Sequence, residues 1–157
     1  MECGRCRPYL VDVRAVAVDP VIPSRLYGGM STASSAIRLF RSENGGANWT
    51  SFAQFELGGY SWISSVLVDP ANPELVYAAA NGARSYCTLF KTTNGEANWT
   101  GTYLFGMDRV VSTSMMALDA SDLKTTYLGD YDDVAGDAIL FKSSVPAWDT
   151  GKTDVVR

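Results

Sequence analysis

The chain has 157 residues, of which 46% are hydrophobic and 19% charged, and this balance indicates one globular domain rather than a disordered segment. Its formal net charge of −4 argues against a nucleic-acid partner, because phosphate backbones are bound by basic surfaces. There is no histidine, which excludes a Ser-His or Cys-His nucleophile pair, and no apolar run is long enough to cross a membrane.

A repeat with a period of fifty residues begins at the first predicted strand. The segment VAVDPVIPSRLYGG (16–29) is followed by VLVDPANPELVYAA (66–79) and by MALDASDLKTTYLG (116–129). One aspartate and one tyrosine recur in each copy: Asp19, Asp69 and Asp119, and Tyr27, Tyr77 and Tyr127. Because an active site is needed once and a turn is needed in every repeat, we interpret the three aspartates as turn residues.

A second element follows the first in every repeat. LFRSENGGANWT (39–50) and LFKTTNGEANWT (89–100) agree at 8 of 12 positions, and LFKSSVPAWDT (140–150) is a more divergent copy. Asn44-Gly45 and Asn94-Gly95 tolerate positive φ and so predict a tight turn. Trp49, Trp99 and Trp148 follow these turns, where a large ring can cover the seam between neighbouring sheets.

Each repeat contains four predicted strands separated by turn residues. They are 14–18, 25–29, 37–41 and 48–52; then 63–68, 75–79, 87–91 and 98–103; then 113–118, 125–129, 139–142 and a last one from 148 onward. Repeats of this length with strand content predict an all-β fold, a β-propeller fragment of three four-stranded antiparallel blades. We expect an N-terminal segment over 1–13 and a partial propeller over 14–157, with blades at about 14–62, 63–112 and 113–157.

The second element resembles a known repeat family. Ser42, Asn44, Gly46 and Trp49 are spaced as in the Asp-box, or BNR repeat, whose pattern is Ser-x-Asp-x-Gly-x-x-Trp. The resemblance covers about residues 14–150 and departs from the pattern in three places: Asn44 and Asn94 replace the aspartate, Glu96 replaces the glycine, and the third copy lacks both (Ser144-Val145-Pro146). Similar blades occur in sialidases, xyloglucanase-type glycoside hydrolases, sortilin and photosystem II assembly factors. The motif implies a folded turn rather than an activity, because it lies away from the catalytic centres of the enzymes that carry it.

Three blades do not close a ring, since propellers typically have four to eight. We therefore expect the partners to be remaining propeller blades or further copies of the chain, with a polysaccharide or protein ligand and no nucleic acid or membrane. The family resemblance favours an extracellular or periplasmic location. The N-terminus, MECGRCRPYL, has no apolar core of a secretory signal, so this segment does not predict one.

The most distinctive unrepeated segment is acidic. Asp130, Asp132, Asp133 and Asp137 lie close together with a glycine, and carboxylate oxygens of this kind could hold calcium. The segment does not fit the EF-hand pattern, and a solvated acidic turn explains it as well. A pair of glycosidase carboxylates is a further reading, but these residues share one loop instead of facing each other across a substrate. We expect no other cofactor.

Each of the other candidate residues has a structural interpretation as well as a functional one. Cys3 and Cys6 form a C-x-x-C without a second pair or a histidine, so two thiols or a local disulfide compete with a metal site. Cys87 is expected to pack as a small apolar residue. Some aromatic residues lie outside the repeated positions and could stack on sugar rings or fill gaps between blades: Tyr60, Trp62, Tyr86, Tyr103 and Phe105.

Two functional hypotheses from different classes follow. The first is a non-catalytic binding or scaffold module built of propeller blades. The second is part of a glycoside hydrolase, xyloglucanase-like or sialidase-like, with catalytic residues partly outside this chain. The repetition of the aspartates and the lack of histidine favour the first, and an assembly factor of the photosystem II type has no specific support.

Overall fold

The computed structural model describes residues 12–31, 36–59, 61–82, 87–95, 98–103, 115–119, 121–122, 125–132, 137–144 and 154–156. Three four-stranded antiparallel sheets account for them, which confirms the all-β prediction. Blade 1 is β1 (Val13–Val18), β2 (Leu26–Met30), β3 (Ala36–Ser42) and β4 (Thr50–Glu56). Blade 2 is β5 (Trp62–Val68), β6 (Val76–Asn81), β7 (Cys87–Thr92) and β8 (Thr100–Tyr103). Blade 3 is β9 (Met115–Leu118), β10 (Thr125–Asp132), β11 (Asp137–Ser144) and β12 (Asp154–Val156).

Several predicted strand boundaries differ from the structure, and two of the differences have a clear local cause. The fourth strands begin at Thr50 and Thr100, two residues late, because the amides of Asn48 and Asn98 still bond to the preceding turn. Half of the acidic segment predicted as a loop, residues 130–132 and 137, belongs to the strands of a hairpin. Its ladder continues until Asp132 lies opposite Asp137, which leaves four residues for the connection.

The meander order of every blade separates its connections into two sets. The first and third strands run in the same direction, so the first and third connections lie at one end of the blade. We call this end, with residues 19–25 and 43–49 and their equivalents, the turn end. The second connection and the passage to the next blade lie at the opposite end, the loop end. The hairpin tip after Asp132 is therefore at the loop end of blade 3.

Consecutive blades pack face to face through apolar seams. The seam between blades 1 and 2 joins Tyr27, Ile37 and Leu39 of blade 1 to a buried set in blade 2: Ile63, Val66, Val68, Val76, Ala78, Ala80 and Phe90. The seam between blades 2 and 3 joins Tyr77, Ala79, Cys87 and Leu89 to Leu128, with Met116 packed against them. The buried Cys87 fits its predicted role as a small apolar residue. Burial of each large apolar side chain in such a seam is worth roughly 1.5–3 kcal/mol.

The first strand of each sheet lies nearest to the neighbouring blades. β5 contacts β1 on one side and β9 on the other. Gly29 on β2 marks how closely the blades approach, because a Cβ there would lie 2.5 Å from Cγ2 of Ile63. Only glycine fits this position without a shift of the neighbouring blade. Among the described residues, no helix is long and apolar enough to span a membrane.

Candidate functional site

The repeated aspartates at the turn end accept hydrogen bonds from residues that follow them closely in the chain. The Oδ1 atom of Asp19 accepts hydrogen bonds from the amides of Val21 and Ile22, at 2.8 and 2.9 Å. Asp69 Oδ1 does the same with the amides of Ala71 and Asn72, at 2.7 and 3.2 Å. Each carboxylate thus closes the loop that begins with its own residue.

The third aspartate caps a variant of this loop. Asp119 Oδ1 accepts the amide and the hydroxyl of Ser121, at 2.8 and 2.6 Å. These hydrogen bonds, the hydroxyl first and then the amide, hold the pKa of Asp119 below its usual value. The amide of each aspartate also bonds to the carbonyl six residues later, in Arg25, Leu75 and Thr125. The repeated carboxylates therefore stabilise backbone turns.

The second repeated turn folds around a hydroxyl and an amide side chain. Ser42 Oγ donates to Asn44 Oδ1 at 3.0 Å and accepts the amide of Gly46 at 2.9 Å. Asn44 Oδ1 also accepts the amide of Asn48, and Trp49 Nε1 donates to the Gly46 carbonyl at 3.1 Å. The glycines at 45 and 46 have φ of 67° and 90°, which favours glycine.

The equivalent turn of blade 2 keeps the same core. Thr92 Oγ1 donates to Asn94 Oδ1 at 3.0 Å, and Asn94 Oδ1 accepts the amide of Asn98. The two turn types are joined in both blades, because the amides of Gly45 and Gly95 bond to the carbonyls of Ser24 and Glu74. Trp148 of the third copy lies outside the described residues.

Blade 1 adds a charge network at its turn end that sequence reasoning missed. Glu43 accepts from Arg41 Nε at 2.7 Å and from Arg25 Nε at 3.3 Å, and Arg25 also reaches Asp19 at 3.4 Å. Burial alone would lower the pKa of Arg25, but the hydrogen bond and charge of Glu43 outweigh it and raise that pKa. The signal in the sequence was that Arg25 and Glu43 are replaced by the uncharged Leu75 and Thr93 in the second repeat, whereas Arg41 is replaced by Lys91, which keeps the positive charge. Two acids and two arginines balance, which makes the network a turn clamp.

Burial raises the pKa of Tyr27, which lies beneath this network, and the nearby Arg25 and Arg41 partly offset that effect. Its ring is fully buried and packs edge-on against Phe52, with centroids 5.7 Å apart. Tyr27 is therefore a seam residue whose hydroxyl stays protonated across the physiological pH range.

The loop end of blades 1 and 2 carries a different set of residues, which are not repeated. The guanidinium of Arg14 lies over the Trp62 ring, 5.6 Å from its centroid, and Arg14 Nη2 is 3.7 Å from Asp12 Oδ2. The contact is within the range of a cation–π interaction. Tyr103, at the loop end of β8, is 66% exposed. In the other repeats these positions hold unlike residues: Ser64 and Ser114 for Arg14, Asp12 and Ser112 for Trp62, and, by the strand register of blade 1, Gln54 for Tyr103.

We call Asp12, Arg14, Trp62 and Tyr103 the loop-end set. Trp62 and Tyr103 were candidates from the sequence, but the contacts among Asp12, Arg14 and Trp62 were missed. Trp62 was already recognised as outside the repeated positions, and comparing residues fifty apart would also have identified Arg14 against Ser64 and Ser114. Tyr60, Tyr86 and Phe105 lie outside the described residues.

The acidic residues proposed for calcium are placed only by their backbone. Asp130 lies opposite Ile139 and Asp132 opposite Asp137, and Asp133 falls outside the described residues, as do Cys3 and Cys6. Within the described part of the chain, no group of three or more His, Cys, Asp or Glu residues could hold a metal ion. The calcium site stays a prediction.

Comparison with solved structures identifies the architecture. The chain is similar to the GH74 xyloglucanase from Xanthomonas campestris, with a TM-score of 0.61 and 19% identity over 90% of this chain and 22% of that one. It is also similar to the GH74 enzyme from Niastella koreensis, with a TM-score of 0.57 and 17% identity over 91% of this chain and 30% of that one. The fold is that of β-propeller blades. The chain spans less than a third of either enzyme, and at these identities the likeness establishes the fold alone.

No family model and no curated protein sequence matches the chain.

Proposed function

We propose that the chain is a non-catalytic propeller module whose loop end binds a polysaccharide. The observation that carries this proposal is the loop-end set. The seam and turn residues described above recur from blade to blade, whereas a binding site is needed once. The stacked Arg14–Trp62 pair and the exposed Tyr103 break the repeat at one end of blades 1 and 2.

The chemistry of the loop-end set suits a sugar. An exposed aromatic ring offers an apolar face to the C–H face of a pyranose, and its polar atom can bond to a hydroxyl. Arg14 and Asp12 supply a charged donor and a charged acceptor beside the Trp62 ring. One of the structural neighbours is a xyloglucanase. Xyloglucan is therefore the first polysaccharide that we propose as a ligand.

The carboxylates of the turn end support a non-catalytic role. The two-carboxylate mechanism of glycoside hydrolysis requires one acid with a raised pKa and a partner across the scissile bond. Asp19 and Asp69 are buried and accept backbone amides, and the pKa of Asp119 is lowered rather than raised. These residues are occupied in holding turns.

We also propose that the turns at 42–49 and 92–99 are Asp-box turns with asparagine in place of aspartate. Their support is the Ser42–Asn44 and Thr92–Asn94 hydrogen bonds and the Asn44 Oδ1 acceptor facing a later amide. An asparagine Oδ1 atom can accept the same bonds as a carboxylate. The turn is then a structural device without a part in ligand binding.

Isothermal titration calorimetry with xyloglucan oligosaccharides tests the binding proposal. We expect saturable binding that is weakened severalfold by Trp62→Ala, because the sugar loses the aromatic ring on which it stacks. Tyr103→Ala should weaken it as well. Trp49→Ala removes an aromatic residue at the turn end and should leave the affinity unchanged. The polysaccharide proposal would be contradicted if calorimetry detected no binding of glucans and the loop-end set bound a protein ligand instead.

The alternative function is part of a glycoside hydrolase whose catalytic residues lie partly outside this chain. The neighbours favour it, because both are GH74 proteins described as enzymes and each is at least three times longer than the matched region. Reducing-sugar release from xyloglucan by the purified chain distinguishes the two. Turnover that disappears in Asp132→Asn or Asp137→Asn would establish the enzyme, whereas we expect no turnover.

A further inference from the structure

Blade 1 exposes an apolar face on the side away from blade 2. The register places Val16, Gly28 and Phe40 side by side across β1, β2 and β3, so they share that face. The ring of Trp49 covers Gly28, with Cζ3 3.3 Å from the position of a Cβ. Val13, Val16 and Val18 remain 59%, 64% and 54% exposed, and Trp49 is 39% exposed. We call this set of residues the head face: Val13, Val16, Val18, Gly28, Phe40 and Trp49.

The same positions in blade 2 form an interface. Fifty residues after the head face come Ile63, Val66, Val68, Ala78, Phe90 and Trp99. All six belong to or pack against the cluster that joins blade 2 to blade 1, and the first five are at most 8% exposed. The head face therefore has the composition and the register of a blade seam.

A matching surface is exposed at the other end of the chain, on the side of blade 3 away from blade 2. Leu140 is 40% exposed, while its counterpart Leu89 is 2% exposed in the seam between blades 2 and 3. Met115 is 66% exposed, and its counterpart Ala15 packs in the seam between blades 1 and 2. We call Met115, Ala117 and Leu140 the tail face.

We infer that the head face of one chain docks on the tail face of a second copy and forms a seam of the kind that already occurs twice within the chain. Such a contact joins two different surfaces, and it closes into a ring if the rotation between copies permits. Two copies with three blades each supply six blades, within the range of four to eight that is typical of closed propellers. The inference depends on the fold and is independent of the polysaccharide proposal.

Light scattering coupled to size-exclusion chromatography tests this inference on the whole chain. We expect a mass of twice one chain, falling to one chain in Val16→Glu and in Leu140→Glu, with unchanged far-ultraviolet circular dichroism. Val21→Glu is the matched control. Val21 is 60% exposed, but its counterpart Ala71 is also exposed, so this position is outside the seams and the mass should stay doubled.

Mixing the two disrupted variants tests the head-to-tail arrangement. Val16→Glu keeps an intact tail face and Leu140→Glu keeps an intact head face, so the mixture can form one undamaged seam that neither variant forms alone. We expect the mixture to regain a species of doubled mass. A wild-type chain that is monomeric over a wide range of concentration would overturn the inference. So would a doubled mass that persists in both variants.

Discussion

Phe55 of blade 1 stacks on Phe90 of blade 2, with ring centroids 3.8 Å apart and ring planes at 15°. Trp99 packs edge-on against Phe55, with centroids 5.6 Å apart, so three aromatic rings fill this part of the seam. Pairs of this kind contribute about 0.5–1.5 kcal/mol beyond the burial of their area. The stability of the first two blades is thus shared across the seam.

Phe90→Ala should lower the free energy of unfolding by about 3–5 kcal/mol, since it opens a cavity and removes the stack. Phe40→Ala changes the equivalent residue on the head face, which is only half-buried within one chain, and should cost clearly less when both variants are made in the monomeric Leu140→Glu chain. Chemical denaturation of both variants measures the difference. Equal losses would contradict the assignment of Phe90 to a seam and Phe40 to an exposed face.

Gly29→Ala should destabilise the chain by about 1–3 kcal/mol, because the new methyl group would lie 2.5 Å from Ile63 and force the blades apart. Gly82→Ala is the control, because a Cβ there has no heavy atom nearer than 3.7 Å. Thermal unfolding compares the two. If Gly29→Ala is as stable as Gly82→Ala, the close approach of β2 to β5 is wrong.

Asp69→Ala should lower the free energy of unfolding by about 1–3 kcal/mol, because the Asp69 side chain is buried and the amides of Ala71 and Asn72 lose it as their acceptor. Asp69→Asn retains an Oδ1 acceptor and should cost about half as much or less. Urea unfolding of both variants provides the measurement. A charge-dependent role for Asp69 would be indicated if the asparagine variant lost as much stability as the alanine variant.

The pKa of Asp119 is lowered by Ser121, so its carboxylate is ionised more readily in the folded chain than in the unfolded one. The unfolded chain therefore binds more protons near the ordinary pKa, and this contribution to stability is present above that pKa and lost as the pH falls through the folded value. Ser121→Ala should raise the pKa of Asp119 toward its ordinary value. Carboxyl resonances followed through an acid titration by NMR measure this, and an unchanged pKa would exclude the Ser121 hydroxyl as the main cause.

Most of the fold could be predicted from the sequence because the repeated turn residues bond to backbone amides only a few residues away. Asp69 bonds to amides two and three residues away, and the Asn44 turn closes within a few residues, so spacing alone reveals both. The start of β4 was misplaced because the side chain of Asn44 extends the turn beyond the point where strand propensity resumes.

Contacts between distant residues were harder to predict. Arg14 and Trp62 belong to different blades, and Arg25 and Glu43 to different turns, so only the folded chain shows their pairing. Residues that differ between repeats nevertheless mark both places. A difference between repeats indicates where to look, but it does not tell a charge clamp from a ligand site.

Indole N–H resonances followed by NMR during titration with a xyloglucan oligosaccharide show which end of the blades binds the sugar, because the chain has only four tryptophans. Trp62 lies at the loop end, whereas Trp49 lies at the turn end and donates its Nε1–H to the Gly46 carbonyl. We expect the Trp62 resonance to shift in a saturable way while those of Trp49 and Trp99 stay in place. Saturable shifts at Trp49, with Trp62 unmoved, would contradict it.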